Sequence, residues 1–260
     1  MLWREIDVAI DDRGILWNQF ILARALTRTV RIVAADSADE APEFCYADTH
    51  AGSGRIKGPL PHLSSVLSER ASFSAAPFFQ AISTPMPGFA HPGSWILAAR
   101  VIDSLKEGVS LEIDANDIDE SVIAAGRDHR EGTWVRFWSH DWFLFLRSRL
   151  KNAKPPHFVF IDPPPDDSRG PAYGIDAAIL LDTLAVPYLL TYPVDSPQDS
   201  IDQIGRTGLE LRLADRGFGV LLGGGAEAAM LDLLADLRRL ARLLGGEFVP
   251  RLPREADYAI

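Results

Sequence analysis

With 260 residues, 47% of them hydrophobic, the chain can form one large α/β domain or two small ones around a sizeable core. Its formal charge of −10 argues against a broad nonspecific grip on nucleic acid, which needs phosphate-neutralising Lys and Arg. No apolar window is long enough for a transmembrane helix, and MLWREIDVAIDDRG at the start carries early acids rather than the apolar stretch of a signal peptide. The single cysteine, Cys45, sits in an apolar run and reads as a buried structural residue, which fits a cytoplasmic protein. Basic residues gather at Arg147, Arg149, Lys151 and Lys154, and again at Arg238, Arg239 and Arg242.

In chain order, Ile15–Leu26 reads as a helix preceded by Gly14, and Phe44–Asp48 as a first strand followed by the turn THAGSG. Residues 57–92 are rich in Pro, Ser and Phe, and prolines at 59, 61, 77, 85, 87 and 92 exclude one long helix. This stretch is expected to be an insertion with short helices. A helix over Ser94–Lys106 has Ser94 where an N-cap belongs. Strands and helices then alternate: strand 109–114, helix Ile118–Arg127, strand 133–139, helix Trp142–Leu150, strand 157–162, helix Ile175–Leu184 and strand 187–193. A short helix at 200–206, strands at 208–214 and 218–224, and a last helix Ala226–Leu244 complete the chain. The βαβα order predicts a single α/β domain over 1–260 with a mostly parallel, doubly wound sheet, an antiparallel hairpin near its end, and a small helical insertion at 57–92.

Ligands of such sheets bind beyond the carboxyl ends of the strands. The ends here are acidic: Asp48, Glu112, Asp114 and Asp162, with Asp141 just after the third strand. The small residues of Thr49–Gly54, Gly52 among them, let backbone approach a ligand or simply turn. Glu112 is placed to accept from ribose hydroxyls, or is a solvated strand-end acid. Asp141 could take an adenine amino group or cap the helix at Trp142. Asp162-Pro163-Pro164 is the sharpest feature. Proline removes an N–H and holds the preceding residue extended, leaving a carboxylate and a carbonyl as acceptors on a rigid ledge. That ledge suits an exocyclic amine with two N–H bonds, held for in-line displacement. The plainer reading is a strand-terminating turn.

The tryptophan-rich TWVRFWSHDWF reads as core packing at alternate strand positions. The six histidines (50, 62, 91, 129, 140, 157) show no metal-ligand spacing, and most of them read as surface or turn residues; no serine has a nucleophile-elbow context.

Taken together these stretches resemble the RlmJ family, bacterial S-adenosylmethionine-dependent methyltransferases acting on an adenine of large-subunit ribosomal RNA. YADTHAGSGR (46–55) resembles the family's Y-L-D-T-H-A-G-x-G-R, HPGSWILAARVI (91–102) its Y-P-G-S-P-x-x-A-x-x-L, and LEIDANDI (111–118) its T-E-L-H-P-x-D. SHDWFLFLRSRL (139–150) resembles x-x-D-G-F-x-x-L-x-x-x-L, FIDPPPD (160–166) resembles L-I-D-P-P-Y-E, and YLLTYPV (188–194) resembles Y-x-x-W-Y-P-V. The likeness runs from about residue 44 to the C-terminal helix. It implies the class I (Rossmann-like) methyltransferase fold, S-adenosyl-L-methionine as cofactor and ribosomal RNA as partner, in a methyl transfer that needs no metal. It further implies cofactor contacts at His50, Ser94, Glu112, Asp141 and Trp142, and that Asp162 receives the target amine; the residues themselves add Gly52 to the cofactor side and the Pro163 carbonyl to the amine side.

Three positions depart from the family pattern. Its N-terminal motif, close to H-A-G-N-x-A-D-x-x-K-H, is missing, and Trp17 and Asn18 stand at its lysine and last histidine, as substitute cofactor contacts or as helix surface. Pro165 replaces the aromatic that follows D-P-P, and Trp142 replaces the glycine after the acid. A catalytically silent binding protein and a methyltransferase with a non-RNA substrate are the alternative readings.

Overall fold

The computed structural model describes residues 11–38, 41–86, 90–128, 134–164, 167, 169–194, 206–230 and 232–251. In chain order the elements are α1 (Asp12–Asp36), β1 (Glu43–Asp48), β2 (Arg55–Ile56), α2 (Leu63–Ser68), α3 (Ala76–Ser83), β3 (His91–Pro92) and α4 (Ser94–Leu105). There follow β4 (Ser110–Asn116), α5 (Glu120–Arg127), β5 (Trp134–Trp138), α6 (Trp142–Leu150), β6 (Phe158–Ile161), α7 (Gly170–Thr183) and β7 (Tyr188–Pro193). Last come β8 (Gly208–Arg212), β9 (Gly217–Gly223), a 3₁₀ turn at Ala226–Ala229, α8 (Leu234–Leu243) and β10 (Glu247–Arg251). The helix expected at 200–206 falls almost wholly outside the described residues, as do Pro165 and His129.

One eight-stranded sheet runs in the order β10-β8-β9-β7-β6-β1-β4-β5. β6, β1, β4, β5 and β7 are parallel to one another, while β9 runs against β7 and β8, and β10 against β8. This is the α/β, mostly parallel architecture expected from the alternation. From β1 the chain goes to β4 and β5 on one side, then returns to β6 on the other. The crevice between β1 and β6 is therefore the topological switch point, where open α/β sheets bind ligands.

Strand parity sorts the two faces. Phe44, Tyr46, Ile113, Phe158, Phe160 and Leu189 pack with α1, α3 and α4, whereas Ala47, Val159, Ile161 and Leu190 pack with α6 and α7. Fully burying such side chains contributes about 1.5–3 kcal/mol each. α1 is longer than its apolar pattern predicts. Asp11 caps its start through the Arg13 amide, and the β-branched Thr27 and Thr29 continue it by bonding back to the Ala23 and Ala25 carbonyls. Trp17, which could have been helix surface, is fully buried and donates to the Leu209 carbonyl at 3.3 Å.

The helices between β2 and β3 are tied down by two buried carboxylates. Asp12 accepts from the His62 amide at 2.8 Å and meets its Nδ1 at 2.7 Å, and Asp236 accepts from the Ser74 amide and hydroxyl. Sequence periodicity extends a last helix over Ala226–Leu244. Instead the 3₁₀ turn precedes a shorter α8, and β10 follows on the sheet edge with Pro250 inside it. Proline argues against a strand in sequence, but an edge strand tolerates it. Among the described residues no helix is long and apolar enough to cross a membrane.

Candidate functional site

β1 ends on Asp48, whose side chain is fully buried on the α1 and α4 face. Its carboxylate accepts from the Tyr46 hydroxyl at 3.2 Å, from the His50 amide at 3.2 Å and from the Ser94 hydroxyl. Burial outweighs these donors and pushes its pKa up to about 7, with the charge of Asp162 adding to the rise. The turn after β1 is pinned to its neighbours. The Thr49 amide and hydroxyl both donate to the Phe160 carbonyl, at 3.0 and 3.2 Å. Asn116, the last residue of β4, donates to the Thr49 and His140 carbonyls and accepts from the His140 amide, so one buried amide staples three loops.

Ser94 is not the N-cap of α4. Gly93 holds that place and Ser94 is the first helical residue, which frees its hydroxyl for Asp48. The Gly93 amide donates to the Gly54 carbonyl at 2.7 Å. Gly54 has φ +76°, and a Cβ there would lie 2.4 Å from the Trp95 ring; a Cβ on Gly93 would lie 2.9 Å from Gly54 backbone. Only glycines let the two turns close to this distance. Gly52, with φ +57°, donates its amide to Asp117 at 3.1 Å.

Asp162 follows β6 immediately. Thr191 on β7 donates its hydroxyl to Oδ1, and Oδ2 has no partner among the described residues. Burial raises the Asp162 pKa above the usual carboxylate range, and the Thr191 hydroxyl opposes that rise. Asp48, Asp162 and Thr191 share the parity of Tyr46, Phe160 and Leu189, so all three face α1 and α4. Pro163 is half-buried and Pro164 exposed.

On the other side of the crevice His50 lies 5.3 Å from the Trp142 ring. His50 Nδ1 shares a hydrogen bond with the Thr49 hydroxyl at 2.8 Å, which leaves Nε2 as the ring nitrogen turned away from that loop. That Nε2 is buried without a partner, and burial drives the imidazole pKa down to about 4. His91 is likewise buried, bonded to Gln19 at 2.9 Å. Asp141 caps α6 through the Phe143 and Leu144 amides, both at 3.1 Å. Trp142 is buried, with its indole nitrogen 3.4 Å from Asp167 and its ring edge-on to Tyr173. Arg169 reaches 3.5 Å from both Asp141 and Asp167 and covers the Tyr173 ring.

Glu112 does not join this group. β4 runs on to Asn116, so Glu112 lies four residues short of the rim, on the α6 face, where it pairs with Arg136 at 3.0 Å. The same arginine and Arg149 neutralise the fully buried Asp114 at 2.6 and 2.7 Å. The acid at the rim is Asp117. Asn18 lies one helical turn after Gly14, whose Cβ position meets Phe218 of β9; it therefore faces the sheet, and its Oδ1 is buried without a partner. The basic groups seen in sequence are partly spent on structure: Arg149 on Asp114, Lys154 on Glu43, Arg239 over Phe73. Trp134, read as core, is 58% exposed on edge strand β5.

No protein-family model matches the sequence, and no curated protein matches it. Among solved structures, a Legionella pneumophila protein of the family DUF519 superposes with a TM-score of 0.68 at 15% identity, covering 92% of this chain and 98% of that one. The two proteins share a fold. The proposed methyltransferase YhhF of Escherichia coli gives a TM-score of 0.36 at 13% identity, covering 75% of this chain and 85% of its own. A proposed class I S-adenosylmethionine-dependent methyltransferase of Listeria monocytogenes gives 0.42 at 11%, covering 85% and 70%. Superpositions this loose carry no argument about the present chain.

Of the residues singled out in sequence, the fold brings His50, Gly52, Ser94, Asp141, Trp142, Asp162 and Pro163 to the carboxyl rim and leaves Glu112 below it. Sequence reading missed Asn116, Asp117 and Thr191. Asp117 was missed because the strand read over 109–114 runs on to Asn116, which moves the rim to the next residue. Among the described residues no group of three or more His, Cys, Asp or Glu is placed to hold a metal ion.

Proposed function

We propose that the chain is an S-adenosylmethionine-dependent methyltransferase acting on an exocyclic amine, with the N6 amino group of an adenine in ribosomal RNA as acceptor. The observation that carries this reading is the pairing, across the switch point, of the Asp48–Gly54 turn with an Asp-Pro-Pro turn whose carboxylate has one oxygen to spare. The RNA acceptor rests on the resemblance of YADTHAGSGR and FIDPPPD.

The residues suit the polar end of the cofactor. His50 Nε2 and Asn18 Oδ1 are buried polar atoms without partners, which the ammonium, carboxylate or hydroxyl groups of the cofactor supply. Gly52 presents bare backbone. Ser94 sits beside Asp48, and Asp117 takes the ribose hydroxyls in this proposal, in place of Glu112. Asp141 and Trp142 border the adenine end.

When bound, S-adenosylmethionine supplies an activated methyl group on a sulfonium. What remains for the protein is to hold the acceptor nitrogen. Its two N–H bonds go to Asp162 Oδ2 and to the Pro163 carbonyl, beside which Pro164 offers no competing amide. The nitrogen lone pair is then fixed in one direction, and alignment of this kind supplies about 7–11 kcal/mol in favourable cases. With its pKa raised by burial, Asp162 can also hold the proton shed by the alkylated nitrogen.

One observation favours a second reading, a catalytically silent binding protein. Trp142 fills the space between His50 and Tyr173, on the side where the cofactor's adenine belongs. Calorimetric titration with S-adenosylhomocysteine separates the two. Binding, together with tritiated methyl transfer to ribosomal RNA from cells lacking the protein, is the expected result. Binding without label in RNA moves the acceptor to a small molecule or a protein. No heat of binding at millimolar ligand leaves the silent reading standing.

A further inference from the structure

We propose that Thr191 is the positioning residue of the amine site: its hydroxyl locks the Asp162 carboxylate through Oδ1 so that Oδ2 alone is presented to the acceptor. The inference deepens the function proposed above and rests on Asp162 receiving the amine.

Four observations place Thr191 in this role. β6 and β7 pair in parallel with Ile161 opposite Leu190, so the next step of the register sets Asp162 beside Thr191. Both side chains fall on the α1 and α4 face by strand parity. Thr191 is 6% exposed and β-branched, which leaves χ1 few options and holds the hydroxyl where it is. Its one proton is given to Asp162 Oδ1. A carboxylate free to turn about its Cβ–Cγ bond offers either oxygen, and a rotated acceptor loses the alignment on which displacement depends. A carboxylate pinned at one oxygen offers only the other.

The lock also acts on charge. A donor hydroxyl favours the ionised carboxylate against burial, which favours the acid. Among the described residues, the titratable groups on which Asp162 acts are Asp48 and Tyr46, both on β1 and on the same face. Changes at Thr191 leave these in place.

The test compares Thr191→Val, which keeps the shape and removes the proton, with Thr191→Ser, which keeps the proton. The Asp162 carboxyl is followed through a pH titration by carbon NMR in the ligand-free protein. Methyl transfer to ribosomal RNA is followed at saturating S-adenosylmethionine. In Thr191→Val the Asp162 midpoint is expected at higher pH than in the wild type. Its kcat at neutral pH should fall about tenfold, with KM for the cofactor unchanged and recovery as pH rises. Thr191→Ser should restore both. If Thr191→Val folds poorly, Thr191→Ala makes the same comparison. An Asp162 midpoint that is the same in the wild type and in the variants lacking the hydroxyl overturns the inference, whether or not activity is detected. Full methyl transfer by Asp162→Ala overturns instead the reading of Asp162 on which the inference stands.

Discussion

The Gly93 amide lies 2.7 Å from the Gly54 carbonyl, so two turns separated by the whole 57–92 stretch meet as one surface. At Gly54 an added methyl would enter the Trp95 ring from a backbone at φ +76°. Gly54→Ala therefore combines a backbone conformation unsuited to L residues with overpacking, each costing about 1–3 kcal/mol. The expected result is a clear drop in Tm with loss of S-adenosylhomocysteine binding, whereas Gly58→Ala, in open space, should lose stability without losing ligand.

Asp48 makes stability depend on pH in a specified direction. Its folded pKa of about 7 stands above the unfolded value of 3.8, so between these values the folded protein binds more protons than the unfolded chain. Stability from this group is thus fully present below about pH 4 and is lost as pH rises towards 7, on the order of 4 kcal/mol in all. His50 and His91, both depressed to about 4, act oppositely and add stability as pH rises from 4 to 6.5. Asp48→Asn removes only the first effect. Its Tm relative to the wild type should climb steadily from pH 4.5 to 7.5; a constant difference across that range contradicts the assignment.

Glu112 and Asp117 should separate cleanly. Glu112→Ala breaks a partly exposed pair with Arg136 and is expected to cost under about 1 kcal/mol with ligand binding intact. Asp117→Ala removes the acceptor of the Gly52 amide at the rim and should weaken S-adenosylhomocysteine binding about tenfold or more. Asp114→Ala, by contrast, strands the buried Arg149 guanidinium and removes one of the two carboxylates that hold Arg136, and should cost about 3–5 kcal/mol without a direct effect on ligand.

Trp142 is where stability and ligand binding oppose each other. Trp142→Gly empties the space beside His50 and should destabilise by about 3–5 kcal/mol. It should also raise affinity for S-adenosylhomocysteine, measured by calorimetry, with Trp142→Phe between the two. Unchanged affinity would mean that the indole lines the site without narrowing it.

Most of the architecture was legible because apolar runs and helical spacing report burial directly. FCYAD and HFVFID are buried strands for the reason that they read as such. Glu112 shows what pattern alone leaves open. An acid near the end of an apolar run marks either the rim or the body of the sheet, and the choice turns on how far β4 continues and on Arg136, which arrives from β5. Thr191 was silent for a similar reason: a threonine within YLLTYP looks like ordinary strand composition until β6 lies beside it. The burial of His91 was silent too, because nothing local reveals that Gln19 lies against it.

β10 closes one side of the sheet with only five residues, Pro250 among them. So short and broken a border is a poor template for another molecule's backbone, and it guards the protein against stacking into continuous ribbons from that side. Self-association on that side, where it occurs, must then be written in side chains.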